Sequence, residues 1–249
     1  MARRRAVCLV AILAALSGGI ASPAGGAQAL PTVALGDSVP RGTNCHCTPY
    51  PQLIADQLSK TSGEAVTAAN DSVAGYTTAN VLRQVTSDRS VIQHLRSAGA
   101  IEIEIGANDV PYTSACGTTV SCYAARVPVM KTRLTAIVRR IRAVTSRHRA
   151  DVVLLDYWSI WLGGEYAAAK GPKYVAAAEE MTARVNAAIR SVAARTGSGY
   201  VDVRAAFKGP SYTYDETHYL SSDGDHPNAA GHERIAQATA STIKRALHL

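Results

Sequence analysis

Four short strings in the sequence hold residue types able to do nucleophilic chemistry. They are Gly36-Asp37-Ser38, the segment Asn70 to Thr77 around Gly75, Gly106-Ala107-Asn108-Asp109, and Asp223-Gly224-Asp225-His226-Pro227. A serine hydroxyl is a poor nucleophile until a base takes its proton. Imidazole accepts a proton near neutral pH. Ser38 is therefore the candidate nucleophile and His226 its candidate base. Asp223 precedes His226 by three residues, so a short turn can aim its carboxylate at the second ring nitrogen and fix the tautomer. Asp225 is adjacent to the histidine and less able to turn back onto the ring. His218 and His232 belong to no such string. One falls in a loop and the other on a helix.

Each string alone reads as a turn or a helix cap. Their placement along the chain gives them weight. Strand-like and helix-like segments alternate, which predicts a parallel sheet covered on both faces. Strands are expected at Thr32 to Leu35, Ala65 to Ala69, Ile101 to Ile105, Asp151 to Asp156 and Tyr200 to Val203. Helices are expected at Pro49 to Lys60, Thr78 to Val85, Val91 to Ser97, Tyr123 to Arg147, Lys173 to Thr196 and Asn228 to Leu247, the last capped by Asn228. This makes an α/β fold, a three-layer α/β/α sandwich on a five-stranded parallel sheet. Ligands bind such sheets at the carboxyl ends of the strands. Three of the four strings follow an expected strand, and the fourth precedes the last helix.

That ordered set resembles the SGNH hydrolase superfamily, the GDSL esterases and lipases, and looks like its exported actinobacterial members. The family's four blocks supply Ser, Gly, Asn and His in order. They match Ser38, Gly75, Asn108 and His226, and the Asp-x-x-His of the last block matches Asp223 and His226. The likeness spans about Val33 to Ala236. It implies a flavodoxin-like sheet and a Ser38–His226–Asp223 triad. It also implies an oxyanion hole made by the backbone N–H of Ser38, the backbone N–H of Gly75 and the side-chain amide of Asn108. No metal or organic cofactor is implied. The expected reaction is hydrolysis of a carboxylic ester through an acyl-enzyme, on a lipid or other small-molecule ester. Removal of acetyl groups from polysaccharide is the second expectation, and a non-catalytic binding protein on the same fold the third.

The rest of the sequence limits the alternatives. Residues 1–29 read as a signal peptide, with Arg3, Arg4 and Arg5, an apolar run to Leu16 and an Ala27-Gln28-Ala29 cleavage pattern. The catalytic domain then spans 30–249 and is secreted. The apolar run is short for a membrane span. The chain carries a net charge of +7, of which the three signal arginines account for almost half. The basic residues scatter along helices with no interleaved aromatics, so nucleic acid is not an expected partner. The domain is expected to be a monomer.

Cys45, Cys47, Cys116 and Cys122 remain after export, an even number in an oxidising compartment. A Cys45–Cys47 ring is tight, so two bridges joining the 45–47 loop to the 116–122 loop are expected. A metal site using Cys45, His46, Cys47 and the later pair Cys116 and Cys122 fits no common zinc spacing. Glu102 and Glu104 alternate with isoleucines on one strand and share a face, which calls for a wet face or paired acids. Asp37 and Asp109 are expected to organise loops as acceptors. Trp158 and Trp161, with Tyr157 and Tyr166, are expected to pack a loop or wall a pocket for an acyl chain or a sugar. The loops at 39–50, 110–122 and 207–222 are expected to shape that pocket.

Overall fold

The computed structural model describes residues 31–148 and 150–247, the side chain of residue 247 excepted. Residues 1–29, read as a signal peptide, lie outside the described residues. Five parallel strands form one sheet: β1 (Thr32–Gly36), β2 (Ala68–Asn70), β3 (Ala100–Glu104), β4 (Asp151–Leu155) and β5 (Gly199–Val201). Their order is β2-β1-β3-β4-β5. The chain therefore reverses direction across the sheet between β1 and β3, the crevice where doubly wound folds bind ligands. Val33 pairs with Ile101 and Gly36 with Glu104, which sets the ends of β1 and β3 level at that crevice.

The helices are α1 (Ser38–Arg41), α2 (Tyr50–Ser62), α3 (Thr78–Ser87), α4 (Arg89–Ser97), α5 (Val120–Ala124), α6 (Arg126–Val144), α7 (Gly164–Ala168), α8 (Pro172–Thr196), α9 (Val203–Lys208) and α10 (Ala229–Leu247). Helices α2 and α10 pack together on one face of the sheet, and α3, α6 and α8 on the other. Each lays an apolar stripe on the strands. On α6 the stripe is Met130, Leu134, Ile137, Val138 and Ile141, all buried. Pro172 begins α8, where its missing N–H costs nothing, and Gly197 ends it in a left-handed conformation. Asn228 caps α10 through its side-chain oxygen, 3.1 Å from the Gly231 amide.

Three elements differ from expectation. Strand β2 is shorter and begins at Ala68. The long helix from Tyr123 is broken at Ala125, because Pro128 can only sit in the first turn of a new helix. Val203 opens α9 instead of closing β5: the Asp202 carboxylate accepts from the Ala205 amide at 2.7 Å and turns the chain out of the sheet.

The cysteines pair locally, contrary to the expected cross-links between loops. Cys45 bonds Cys47 and Cys116 bonds Cys122, with Cα separations of 5.1 and 5.8 Å. Asn44 and His46 adopt left-handed backbone angles, φ 58° and 50°, and this folds the loop enough to bring Cys45 and Cys47 together.

Glu102 and Glu104 also depart from expectation. Both are fully buried, and among the described residues neither carboxyl group pairs with a basic side chain; the Tyr50 hydroxyl is the polar neighbour of Glu104. The face is neither wet nor salt-bridged. Burial disfavours the charged form and pushes both carboxyls well above the usual range.

Candidate active site

Ser38 opens α1 directly after β1. The turn depends on Gly36, since a Cβ there would lie 2.1 Å from the Glu104 carbonyl oxygen of the neighbouring strand. Asp37 caps the short helix, its Oδ1 accepting from the Val39 amide at 3.1 Å. Its Oδ2 accepts from the Tyr157 hydroxyl at 2.7 Å. Burial raises the Asp37 pKa to about 6, held in check by the Tyr157 and Val39 donors. Asp37 thus acts as the expected loop-organising acceptor. Ser38 itself is partly exposed.

The Gly75 loop lies against the Ser38 turn, with the Val73 amide donating to the Gly36 carbonyl at 3.1 Å. The Asn70 side chain ties β2 to the same turn through the Pro40 carbonyl at 2.7 Å. Gly75 has φ +79°, a conformation that disfavours other residues. A Cβ there would meet no atom within 4 Å, so backbone angle and not crowding is what requires glycine.

Asn108 sits in a single 3₁₀ turn after β3. Its Nδ2 donates one hydrogen to the Tyr76 carbonyl at 3.0 Å, which fixes the amide and leaves the second hydrogen free. Asp109 holds the turn by accepting from both the amide and the hydroxyl of Thr78, at 2.8 and 2.5 Å. This again matches its expected role.

The Asp223–His226 turn is ordered by the aspartate. Asp223 Oδ2 meets His226 Nδ1 at 2.7 Å. Its Oδ1 accepts from the amides of Asp225 and His226, each at 3.0 Å. Asn44, in the loop after α1, donates to Oδ2 at 2.5 Å. Burial pushes the Asp223 carboxyl up. The Asn44 and His226 side chains and the two amides outweigh it and hold the pKa at about 2. A permanent carboxylate on Nδ1 leaves Nε2 as the basic nitrogen of the ring. Asp225 makes no hydrogen bond to the ring among the described contacts and lines the adjacent cleft instead. His232 is fully buried and accepts from the Tyr50 amide at 3.2 Å, while the His218 ring lies tilted against that of Tyr219.

A cleft of about 460 Å³ opens beside Asn108. Trp161, Tyr112, Tyr174, Ile160 and Leu162 wall it, with Thr118, Lys170 and Asp225 among its polar groups. Trp161 is 4% exposed and its indole N–H is fixed on the Val110 carbonyl at 2.9 Å, so it is wall and not platform. Trp158 and Tyr157 are buried as well, and Tyr166 packs over Gly224. Asn44, Tyr112 and Tyr174 carry no sequence signal, since what marks them is a contact with a distant segment. Cys45, Cys47 and His232 place ligand atoms within 4.8 Å of one another, but the two sulfurs are joined in a disulfide and offer no thiolate.

The GDSL-like lipase/acylhydrolase family model matches residues 34–234, from β1 into α10 and through all four strings. The chain belongs to this family. It is accordingly a carboxylic ester hydrolase. No curated protein sequence matches it. Among solved structures, a lipase from a goat rumen metagenome is 19% identical, with TM-score 0.70 over 86% of this chain and 97% of that one. An extracellular lipase from Streptomyces rimosus is 23% identical, with TM-score 0.67 over 86% and 100%. An acetylxylan esterase from Geobacillus stearothermophilus is 20% identical, with TM-score 0.59 over 86% and 94%. At these identities the likeness shows a shared GDSL-hydrolase fold.

Proposed function

We propose that this GDSL hydrolase is a secreted esterase or lipase that cleaves lipid or short-chain acyl esters through an acyl-enzyme on Ser38. In this reading the 1–29 segment is removed on export and 30–249 is the catalytic domain. His226 takes the Ser38 proton as the hydroxyl attacks the ester carbonyl. The tetrahedral oxyanion is held by the Ser38 amide, the Gly75 amide and the free Asn108 hydrogen. The imidazolium then returns its proton to the leaving alcohol. Water, activated by the same ring, releases the acid and restores Ser38.

The observation that carries this reading is the Asp223–His226 pair, joined at 2.7 Å, with the aspartate also held by the loop that follows Ser38. That contact ties the turn of the last string to the loop that follows the first. The apolar wall of Trp161, Ile160 and Leu162 beside Asn108 suits an acyl chain. Lys170, Thr118 and Asp225 in the same cleft favour the second reading, a sugar ester. The two local disulfides and the leader pattern support export. No helix among the described residues is long and apolar enough to cross a membrane.

The test is a fluorophosphonate label on the purified protein, with Ser38→Ala as control. It is paired with nitrophenyl esters of rising chain length beside acetylated xylan. Labelling at Ser38 and turnover of acyl esters are expected. Folded protein that takes no label is a binding module. A steep acetyl preference with xylan turnover makes it a carbohydrate esterase.

A further inference from the structure

A cavity of about 380 Å³ lies at the β5 edge of the sheet, between α8, α9 and the loop that follows α9. It shares no lining residue with the Asn108 cleft. The 207–222 loop, expected to shape the catalytic pocket, contributes Tyr212 here and nothing to that cleft.

Arg204, in the first turn of α9, forms part of the wall and is only 9% exposed. Its guanidinium lies over the Tyr212 ring, 4.8 Å from the centroid. Tyr212 holds that place with a left-handed backbone, φ 59°, and with its hydroxyl tied to Asp202 at 2.7 Å. A tyrosine is strained in that region, and such strain persists only where the surroundings fix it. Stacking occupies one face of the cation and leaves its edge. On that edge Nε is buried without an acceptor. The two terminal nitrogens keep accessible surface and, among the described residues, have no hydrogen bond and no carboxylate partner. A nearly buried cation without a counter-charge calls for one.

The other polar groups of the wall are engaged. Arg190 pairs with Asp202 at 3.0 Å and lies over the Tyr200 ring. The Asp156 carboxyl accepts from the Tyr200 hydroxyl and from the Arg204 amide. Burial raises its pKa to about 7, held in check by the Tyr200 hydroxyl, so below that pH it sets little negative charge against an anion. Asn186 is bonded both ways to the Tyr157 backbone. Arg190 and Asp202 cancel, which leaves Arg204 as the surplus charge. A cation is repelled by it, and a neutral ligand leaves it unpaired. A dianion brings one charge more than it can match. A single carboxylate sets two oxygens in the plane of the guanidinium edge, the geometry that suits this fork.

The floor of the cavity is apolar. Ala183, Ala187 and Ala194 lie on one stripe of α8, and their small side chains leave a trough. An alkyl chain laid in that trough is removed from water.

We propose that this cavity binds a monocarboxylate carrying an alkyl chain, with the carboxylate on the edge of Arg204 and the chain along the α8 alanines. An acid of this kind is what hydrolysis of an acyl ester releases, but the site stands on its own geometry and not on that reading.

The test is calorimetric titration of the purified protein with sodium octanoate. Octanamide, which lacks the charge, and inorganic phosphate, which lacks the chain, are the comparisons. Octanoate should bind, and each of the others about tenfold more weakly or less. Arg204→Gln should weaken octanoate by a similar factor. Ala187→Glu sets a carboxylate on the floor and should abolish binding, while Ala187→Gln, of the same size, should retain part of it. Ala187 is exposed, so this pair serves even if Arg204→Gln does not fold. The proposal is overturned if octanoate does not bind, or if octanamide or phosphate binds as tightly. It is also overturned if octanoate affinity is the same in Ala187→Glu and Ala187→Gln, the result for a chain held in the Asn108 cleft. No ester is turned over, so failure here leaves the esterase assay untouched.

Discussion

Asn44 and Asp223 are 179 residues apart in sequence and share a hydrogen bond of 2.5 Å. The Ser221 hydroxyl, from the same turn as Asp223, donates to the Asn44 carbonyl at 3.2 Å. One residue of the loop after Ser38 thus grips the turn that presents His226. In the proposed mechanism Asn44 is a positioning residue, holding Asp223 without touching the reacting atoms.

Asn44→Ala should lower kcat about tenfold, roughly what one charge-assisted hydrogen bond contributes to alignment. KM should change little. Asn44→Asp should be worse, since it sets a second carboxylate against Asp223. Steady-state kinetics on a nitrophenyl ester checks both. Full activity in Asn44→Ala would remove Asn44 from the positioning of the triad.

In the proposed mechanism Asn108→Ala deletes a donor to charge that exists only in the transition state. Loss of such a donor costs about 10²–10³ in kcat. The tie to the Tyr76 carbonyl goes too, so a modest fall in melting temperature is expected. A variant with normal kcat would falsify the oxyanion role.

Glu102 and Glu104 should make the fold less stable as pH rises. Each carboxyl is raised above its ordinary value of 4.5 by burial. The folded chain therefore holds these protons more tightly than the unfolded chain. Their contribution is fully present below that ordinary value and is lost as pH climbs toward the raised one. Glu102→Gln should raise the melting temperature at pH 8 by a few degrees, about 2–4 °C per kcal/mol for a domain of this size. The gain should disappear at pH 4. An equal shift at both pH values would contradict burial as the cause.

The disulfide pairing has a direct readout. Cys45 and Cys47 fall within one tryptic peptide, Gly42 to Lys60, and Cys116 and Cys122 within another, Ser97 to Arg126. With local bridges, a non-reducing digest should contain no cross-linked peptide pair. Reduction should add only two hydrogens to each of those two peptides. A joined pair would restore the cross-loop arrangement.

Much of this protein is local in origin, and local features are what a sequence states. The alternation of strand and helix follows from hydrophobic period, so the layered parallel sheet was legible, as was the cap at Asn228. Asp223 and His226 are three residues apart, and the turn between them is set by the aspartate's own bonds to nearby amides. Their pairing was therefore readable as well. The tertiary structure alone decided what depends on distant segments meeting. The Asn44 grip on Asp223, the walls of Tyr112 and Tyr174, the unpartnered guanidinium of Arg204 and the burial of Glu102 and Glu104 belong to that class. The cysteine pairing was misread for a related reason: left-handed turns at Asn44 and His46, which composition does not announce, make a short ring possible. A one-dimensional pattern encodes which face of an element is apolar. It does not encode which polar atom of another element arrives there, because that is set by the packing of the layers.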